Sequence, residues 1–383
     1  MDLISTSDWI VFVLVVGARF LLPLLIPFYP LPAIIACLLL DGVDQTIFQV
    51  FTKLPLDGYQ SYDKALDIHY LTIAYISTFR NWTNNFAFSV SRFLFYYRLI
   101  GVALFEALHL RAVLLIFPNT FEYFFIWYET VKLWWDPRKL TRVGIISAAA
   151  AIWIIIKLPQ EYWLHIAQRD MTDTVKILLG GQLEDPWLPL IMANLLPIVA
   201  VLIVLALLVI GAYYFVRRNT RKPDYKLGWR AGDNTTLPTE AQFARARATL
   251  YERIFDRDLL EKIVLVGLLV YIFANMMPTV SMTAGRLALY VVILVTATTA
   301  ISHLLARRGT TIASGVAHFA AVFAVNMVLS WLIALMAGRS YNWMNATLFM
   351  LIMGAIVTLF DRFQPFHEAR FPRGEASNVS PAG

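Results

Sequence analysis

Runs of about 20 predominantly apolar residues recur along this chain, and that is the length a helix needs to cross a bilayer. Hydrocarbon offers no water to an unpaired N–H or C=O, so such runs must fold as helices that satisfy their own backbone. Eleven segments qualify, at about 9–27, 32–52, 65–82, 86–108, 112–134, 143–162, 187–216, 261–279, 286–306, 312–336 and 344–361. The third is the weakest, because Asp67, His69 and Arg80 leave it short and polar; the first is interrupted by Arg19 and Pro23, so ten spans is the alternative count. The expected fold is an all-α, polytopic transmembrane bundle without internal repeats. Composition agrees: 59% of the 383 residues are hydrophobic and only 15% are charged, against about 25% charged in a soluble protein.

Basic loops set the orientation. Arg217, Arg218, Arg221, Lys222, Lys226 and Arg230 mark 217–230 as cytoplasmic, with Arg138, Lys139 and Arg142 on the same side. Arg307 and Arg308 and the C-terminal Arg362, Arg370 and Arg373 also fall inside, whereas the acidic 163–186 loop and the N-terminus fall outside. Four regions are expected: a charge-containing membrane module over 1–216, a basic cytoplasmic segment over 217–260, an apolar membrane module over 261–362, and a disordered tail over 363–383. Within 217–260, Thr239-Glu240-Ala241-Gln242 fits a capping box. The helix it opens, with Phe243, Leu250, Ile254 and Leu259 on one face, suits the membrane interface. The setting this implies is a multi-pass protein of a cell membrane, with a bacterial inner membrane as the expected one.

Charges inside the spans point to where the chemistry lies, since each costs roughly 2.5–3.5 kcal/mol at mid-membrane depth on insertion scales. Depth-matching brings Arg19, Asp41, Asp44, Arg98 and Glu122 to one level. Asp41, Asp44 and Gln45 share a helical face, as do Glu122 and Glu129. Gly42 leaves room for a close approach, and Arg98 is expected to pair with Asp41, Asp44 or Glu122. A second, external acidic group comprises Asp57, Asp63 and Asp67, with His69 nearby and Tyr59, Tyr62, Tyr70 and Tyr75 interleaved. These tyrosines equally fit an aromatic belt at the membrane surface. Lys157 is placed to snorkel outward or to pair with Glu161, and Pro23, Pro27, Pro118 and Pro159 to kink their spans. Spans eight to eleven carry almost no internal charge, leaving His318 as a lone, packed histidine.

Motifs exclude several chemistries. There is no HExxH helix, GxSxG elbow or Walker A loop, no lysine in span seven for a Schiff base, and no histidine pairing for haem, so no cofactor is expected. One cysteine, Cys37, rules out an internal disulfide framework or a CxxC site. The basic excess collects in short loops and calls for no nucleic acid; the bilayer is the expected partner, with a small solute, a cation or a lipid-linked substrate as ligand. The first reading is a transporter or ion-coupled permease. The second is an enzyme acting on a lipid-linked or phosphate-bearing substrate, its external carboxylates holding a divalent ion or acting as base and its arginines holding phosphate. That layout, many spans with an acidic early external loop, is similar to polyprenyl-phosphate-dependent glycosyltransferases in architecture, with no shared motif. A non-catalytic subunit of a membrane complex is the third.

Overall fold

The computed structural model describes residues 5–53, 59–167, 171–182, 184–219, 221–234, 237–239, 241–246, 257–276, 284–306, 312–336 and 343–371. Helices are the only regular structure among them. In chain order they are α1 (Thr6–Leu21), α2 (Pro30–Phe51), α3 (Tyr59–Asn81), α4 (Asn85–Leu108), α5 (Ala112–Ile116) and α6 (Thr120–Trp134). Then come α7 (Arg142–Ile166, with π-helical turns on both sides of Pro159), α8 (Met171–Leu178), α9 (Trp187–Ala193) and α10 (Leu195–Asn219). The last four are α11 (Arg257–Met276), α12 (Ala284–Ala306), α13 (Ile312–Met336) and α14 (Trp343–Arg370). Local chemistry sets many of the ends. Ser5 and Asp8 form a capping box at the start of α1, Pro30 opens α2, and Asn84 and Thr141 cap α4 and α7.

Among the described residues, eight helices are long and apolar enough to cross a membrane, and a ninth apolar stretch, Ala288–Ile301, is shorter. Two of the eleven expected segments are not among these, for different reasons. Segment 112–134 is not one helix: the chain breaks at Phe117–Asn119, where Pro118 interrupts the ladder, leaving the five-residue α5 and the 15-residue α6. Segment 65–82 is helical, but every residue from 68 to 79 is buried by protein. It forms the axis of the bundle, packed by α1, α2, α4, α11 and α14, so the polar residues of that stretch, His69, Thr72, Ser77 and Thr78, are covered by protein. In the opposite sense, α10 buries none of its window over Leu195–Phe215 and is apolar on every side.

Turns gather at two ends of the bundle. At one end the 25–30 turn, the 82–84 turn, the 135–141 turn, the 221–234 segment and the close of α14 meet. Ala231 N–H donates to Phe28 O at 2.9 Å, Asn84 Nδ2 to Pro137 O at 3.0 Å, and Arg370 Nη1 to Trp82 O at 3.2 Å. Lys53 N–H reaches Asp8 at the opposite end, where α1 begins and α2 closes.

Two helices run past the expected segment boundaries. The capping box at Thr239 forms, with Gln242 N–H donating to Thr239 Oγ1 at 3.3 Å and Thr239 N–H to Gln242 Oε1 at 3.0 Å. Phe243 then packs on Phe366 of α14, at 4.6 Å between rings, instead of resting on lipid. Leu250 and Ile254 lie outside the described residues, and Leu259 belongs to α11. α14 also runs on to Arg370 with Phe363 buried, because that last turn has protein to pack against, and residues 372–383 of the expected tail lie outside the described residues.

The 221–225 stretch is tethered electrostatically. Asp224 N–H donates to Trp134 O at 2.8 Å, and its carboxylate receives Lys139 at 2.9 Å, Arg221 at 3.2 Å and Asp136 N–H at 3.1 Å. Lys139 holds the Asp224 carboxyl below its usual range, and Arg138 does the same for Asp136. A depressed carboxyl favours the docked state above the free-carboxyl range, near pH 4. The tether is therefore expected to hold at neutral pH and to loosen as pH falls through the depressed values. Hydrogen exchange at the Asp224 and Asp136 amides, corrected for intrinsic rates, checks this; loss of protection already at pH values well above the carboxylate range would refute it.

Candidate functional site

Arg19 lies in the last turn of α1 and is only 5% exposed. Its guanidinium is shared by four aspartates from two other helices. Nη1 donates to Asp44 and Asp63, and Nη2 to Asp41 and, at 2.5 Å, to Asp67. Helical spacing explains the convergence: Asp41 and Asp44 are i, i+3 on α2, and Asp63 and Asp67 are i, i+4 on α3. Asp44 is buried beneath the guanidinium, while the Asp41, Asp63 and Asp67 side chains keep 30–39% of their exposure. Carboxylate oxygens of Asp41, Asp44 and Asp63 lie within 4.8 Å of one another, close enough to share a cation.

This cluster joins what the sequence divides into an intramembrane group and an external one. Asp63 and Asp67 sit one and two turns into α3, which starts where α2 ends, so they reach down to the level of Asp41. Gln45 stays exposed and outside the cluster, and a Cβ at Gly42 would meet no other part of the described residues within 4 Å. Asp57 lies outside the described residues. His69 takes a packing role instead: its ring stacks on Phe20 at 5.1 Å and its Nε2 lies 3.1 Å from Phe20 O. Tyr70 and Tyr75 are fully interior and form no surface belt.

Arg98 and Glu122 belong to a second, separate cluster at the α5–α6 break. Arg98 Nη1 donates to Phe117 O at 3.0 Å and lies 3.7 Å from Glu161, so it pairs across helices, but with a carboxylate other than the three expected. Glu122 accepts from Tyr70 Oη at 2.6 Å and from Asn119 Nδ2 at 2.8 Å, and faces Lys157 at 3.5 Å. Lys157 thus turns inward, over the Tyr123 ring at 4.0 Å, instead of snorkelling. Glu161 in turn receives Asn119 N–H at 3.0 Å and His165 at 2.9 Å. Depth-matching along uninterrupted spans merges the two clusters because it takes no account of the helix break. Glu129 is buried separately, with Lys132 at 2.7 Å and Trp82 Nε1 at 2.8 Å.

The last four helices carry charges that sequence reasoning missed. Glu261 on α11 accepts from Tyr75, from Tyr96 at 3.3 Å and from Arg92 at 2.9 Å. Next to it, Lys262 bonds Asp361 at 2.9 Å and Thr299 at 3.3 Å, and His318 stands 3.8 Å from Asp361. His318 is therefore one member of a knot tying α11, α12, α13 and α14 together. The missed signal is at the segment ends: Glu261, Lys262 and Asp361 fall at the edges of the apolar windows, and the helices run past those edges.

No family model, curated protein or solved structure matches the chain. The functional reading rests on geometry alone.

Proposed function

We propose that this is an integral membrane protein that couples movement of a small solute to protons or another cation, with Arg19, Asp41, Asp44, Asp63 and Asp67 as the coupling site. One observation carries the reading: four carboxylates converge on one buried guanidinium, and three of them keep an open side. A single cation cannot neutralise four carboxylates, so the cluster approaches neutrality only by holding protons or a cation. Loading and unloading that charge would change how tightly α1, α2 and α3 are held together, which is the kind of two-state element a coupled carrier needs. By its basic loops the protein sits with the C-terminus in the cytoplasm and the acid cluster toward the outer face, in a cell membrane of the bacterial inner-membrane type.

The test uses reconstituted vesicles loaded with a pH-sensitive dye and pulsed with amino acids, organic acids, sugars and amines in turn. One class is expected to drive proton movement, and Asp67→Asn to abolish it while leaving insertion and melting temperature near wild type. A second reading has a specific observation behind it, the shared reach of Asp41, Asp44 and Asp63. An enzyme would hold a divalent cation there, with Arg19 directed at the phosphate of a lipid-linked substrate. Stoichiometric Mn²⁺ binding that is lost in Asp63→Asn, with no solute class moving protons, would favour that reading and sink the carrier.

A further inference from the structure

At the end of the bundle where the basic turns meet, Arg80 in the last turn of α3 makes no ion pair among the described residues. Its guanidinium is nevertheless held in place. Nη1 donates to Pro27 O and, at 3.4 Å, to Asn81 Oδ1, and the group lies 4.9 Å from the Phe28 ring and 5.9 Å from the Phe363 ring. Both hydrogen bonds use Nη1. The Nε and Nη2 donors, which share one edge of the fork, are left without a partner among the described residues, and the side chain is only half-buried. Other acids at this end are engaged: Glu129 by Lys132 at 2.7 Å, Asp136 by Arg138 at 3.0 Å and Asp224 by Lys139 at 2.9 Å. Two further guanidinia, Arg362 and Arg370 of α14, stand close enough to Arg80 for the like charges to repel. An apolar strip leads to the same corner. Leu21, Leu25 and Phe28 are 58%, 47% and 47% exposed, and their spacing of four and then three residues puts them on one side of the close of α1.

We propose that Arg80 binds the phosphate of an anionic phospholipid, with the phosphate oxygens on its Nε–Nη2 edge and an acyl chain along Leu21, Leu25 and Phe28. A guanidinium matches two phosphate oxygens with two parallel N–H bonds, and it stacks on aromatic faces while doing so. The Phe28 ring and the Pro27 carbonyl fix the fork before the lipid arrives, so little side-chain freedom is lost on binding. Net charge decides which lipid. A zwitterionic headgroup brings its own cation into a corner where Arg80, Arg362 and Arg370 already repel one another, whereas an anionic headgroup relieves that repulsion. The basic turns assign this end to the inner leaflet. The site is independent of the acid cluster, since about 20 Å of helix separates Arg80 from Asp67 on α3.

Native mass spectrometry of the full chain, purified in detergent and stripped of lipid, tests this. The protein is titrated with phosphatidylglycerol, with phosphatidylcholine of the same chains, and with inorganic phosphate. The wild type should hold one phosphatidylglycerol about tenfold more tightly than phosphatidylcholine, the lower end of what a charged hydrogen-bonded pair contributes. Arg80→Gln should abolish that preference. Arg80→Lys keeps the charge and a donor for Pro27 O, so it guards against simple misfolding; it should still lose most of the preference, because an ammonium has no planar fork. Arg138→Gln removes one exposed charge from the same end and should leave the preference intact. Equal binding of the two lipids by the wild type, or an equal loss in Arg138→Gln and Arg80→Lys, would mean a diffuse basic face and overturn the site. Arg80-dependent binding of inorganic phosphate that displaces phosphatidylglycerol would overturn the lipid as its occupant and assign the fork to a free anion.

Discussion

Arg19→Met should be the most damaging single substitution in the first three helices. It keeps an unbranched apolar stem in place of the arginine methylenes and removes the cation that four aspartates share. Breaking a buried charge pair by removing one partner costs about 3–5 kcal/mol, because the other charge is left buried and uncompensated. Asp44 bears most of that cost, since its side chain is 3% exposed whereas the other three keep an open side. The variant is expected to melt well below the wild type at neutral pH and to recover stability as the medium is acidified and the carboxylates take up protons. Adding Asp44→Asn to Arg19→Met should recover a substantial part of the loss. Arg19→Lys should fall between, since an ammonium cannot present the planar fork that serves four acids at once. Thermal melts of the detergent-purified variants decide it; an Arg19→Met melt equal to wild type would show that the cluster does not hold α1 to α2 and α3.

Much of this architecture is legible in the sequence because hydrocarbon permits so few backbone solutions. Apolar length gives most of the helices, and the spacings of Asp41 with Asp44 and Asp63 with Asp67 give two faces of the site directly. What the sequence hides is how those faces meet. Asp63 and Asp67 read as external because α3 is too polar for lipid, yet from residue 68 to 79 α3 is enclosed by protein, which tolerates polar side chains that it can pair. Hydropathy scores a residue against the bilayer and cannot see a helix whose solvent is other helices. Pairing is hidden for a second reason. Arg98 meets Glu161 instead of an acid at its own expected depth because the chain breaks at Phe117–Asn119, and a break of three residues shifts every side chain beyond it.

That break predicts the second large effect, at a glycine that sequence reasoning passes over. Gly101 on α4 lies directly against Phe117. A Cβ at position 101 would overlap the Phe117 Cβ and stand 2.7 Å from its Cγ. The Phe117 Cβ is fixed to the backbone, so no rotamer change relieves the overlap and the break itself has to move away from α4. Overpacking of this kind costs about 1–3 kcal/mol, while alanine in a helix interior returns about 0.8–1 kcal/mol over glycine. The steric cost should win, and Gly101→Ala should melt lower than wild type. It should also disturb the site, because moving Phe117 pulls its carbonyl from Arg98, 3.0 Å away, and shifts Asn119 from Glu122 and Glu161. Phe117→Ala on its own gives up the ring contact with Tyr97, at 4.5 Å between centroids, and should be destabilising too. Together the two substitutions should cost less than the sum of the singles, by more than about 0.5 kcal/mol. The second removes the Cγ and ring, and without a ring held against Tyr97 the break can carry the remaining Cβ away from α4 at lower cost. A Gly101→Ala protein that melts at or above the wild-type temperature would show that α4 and the break are not in tight contact.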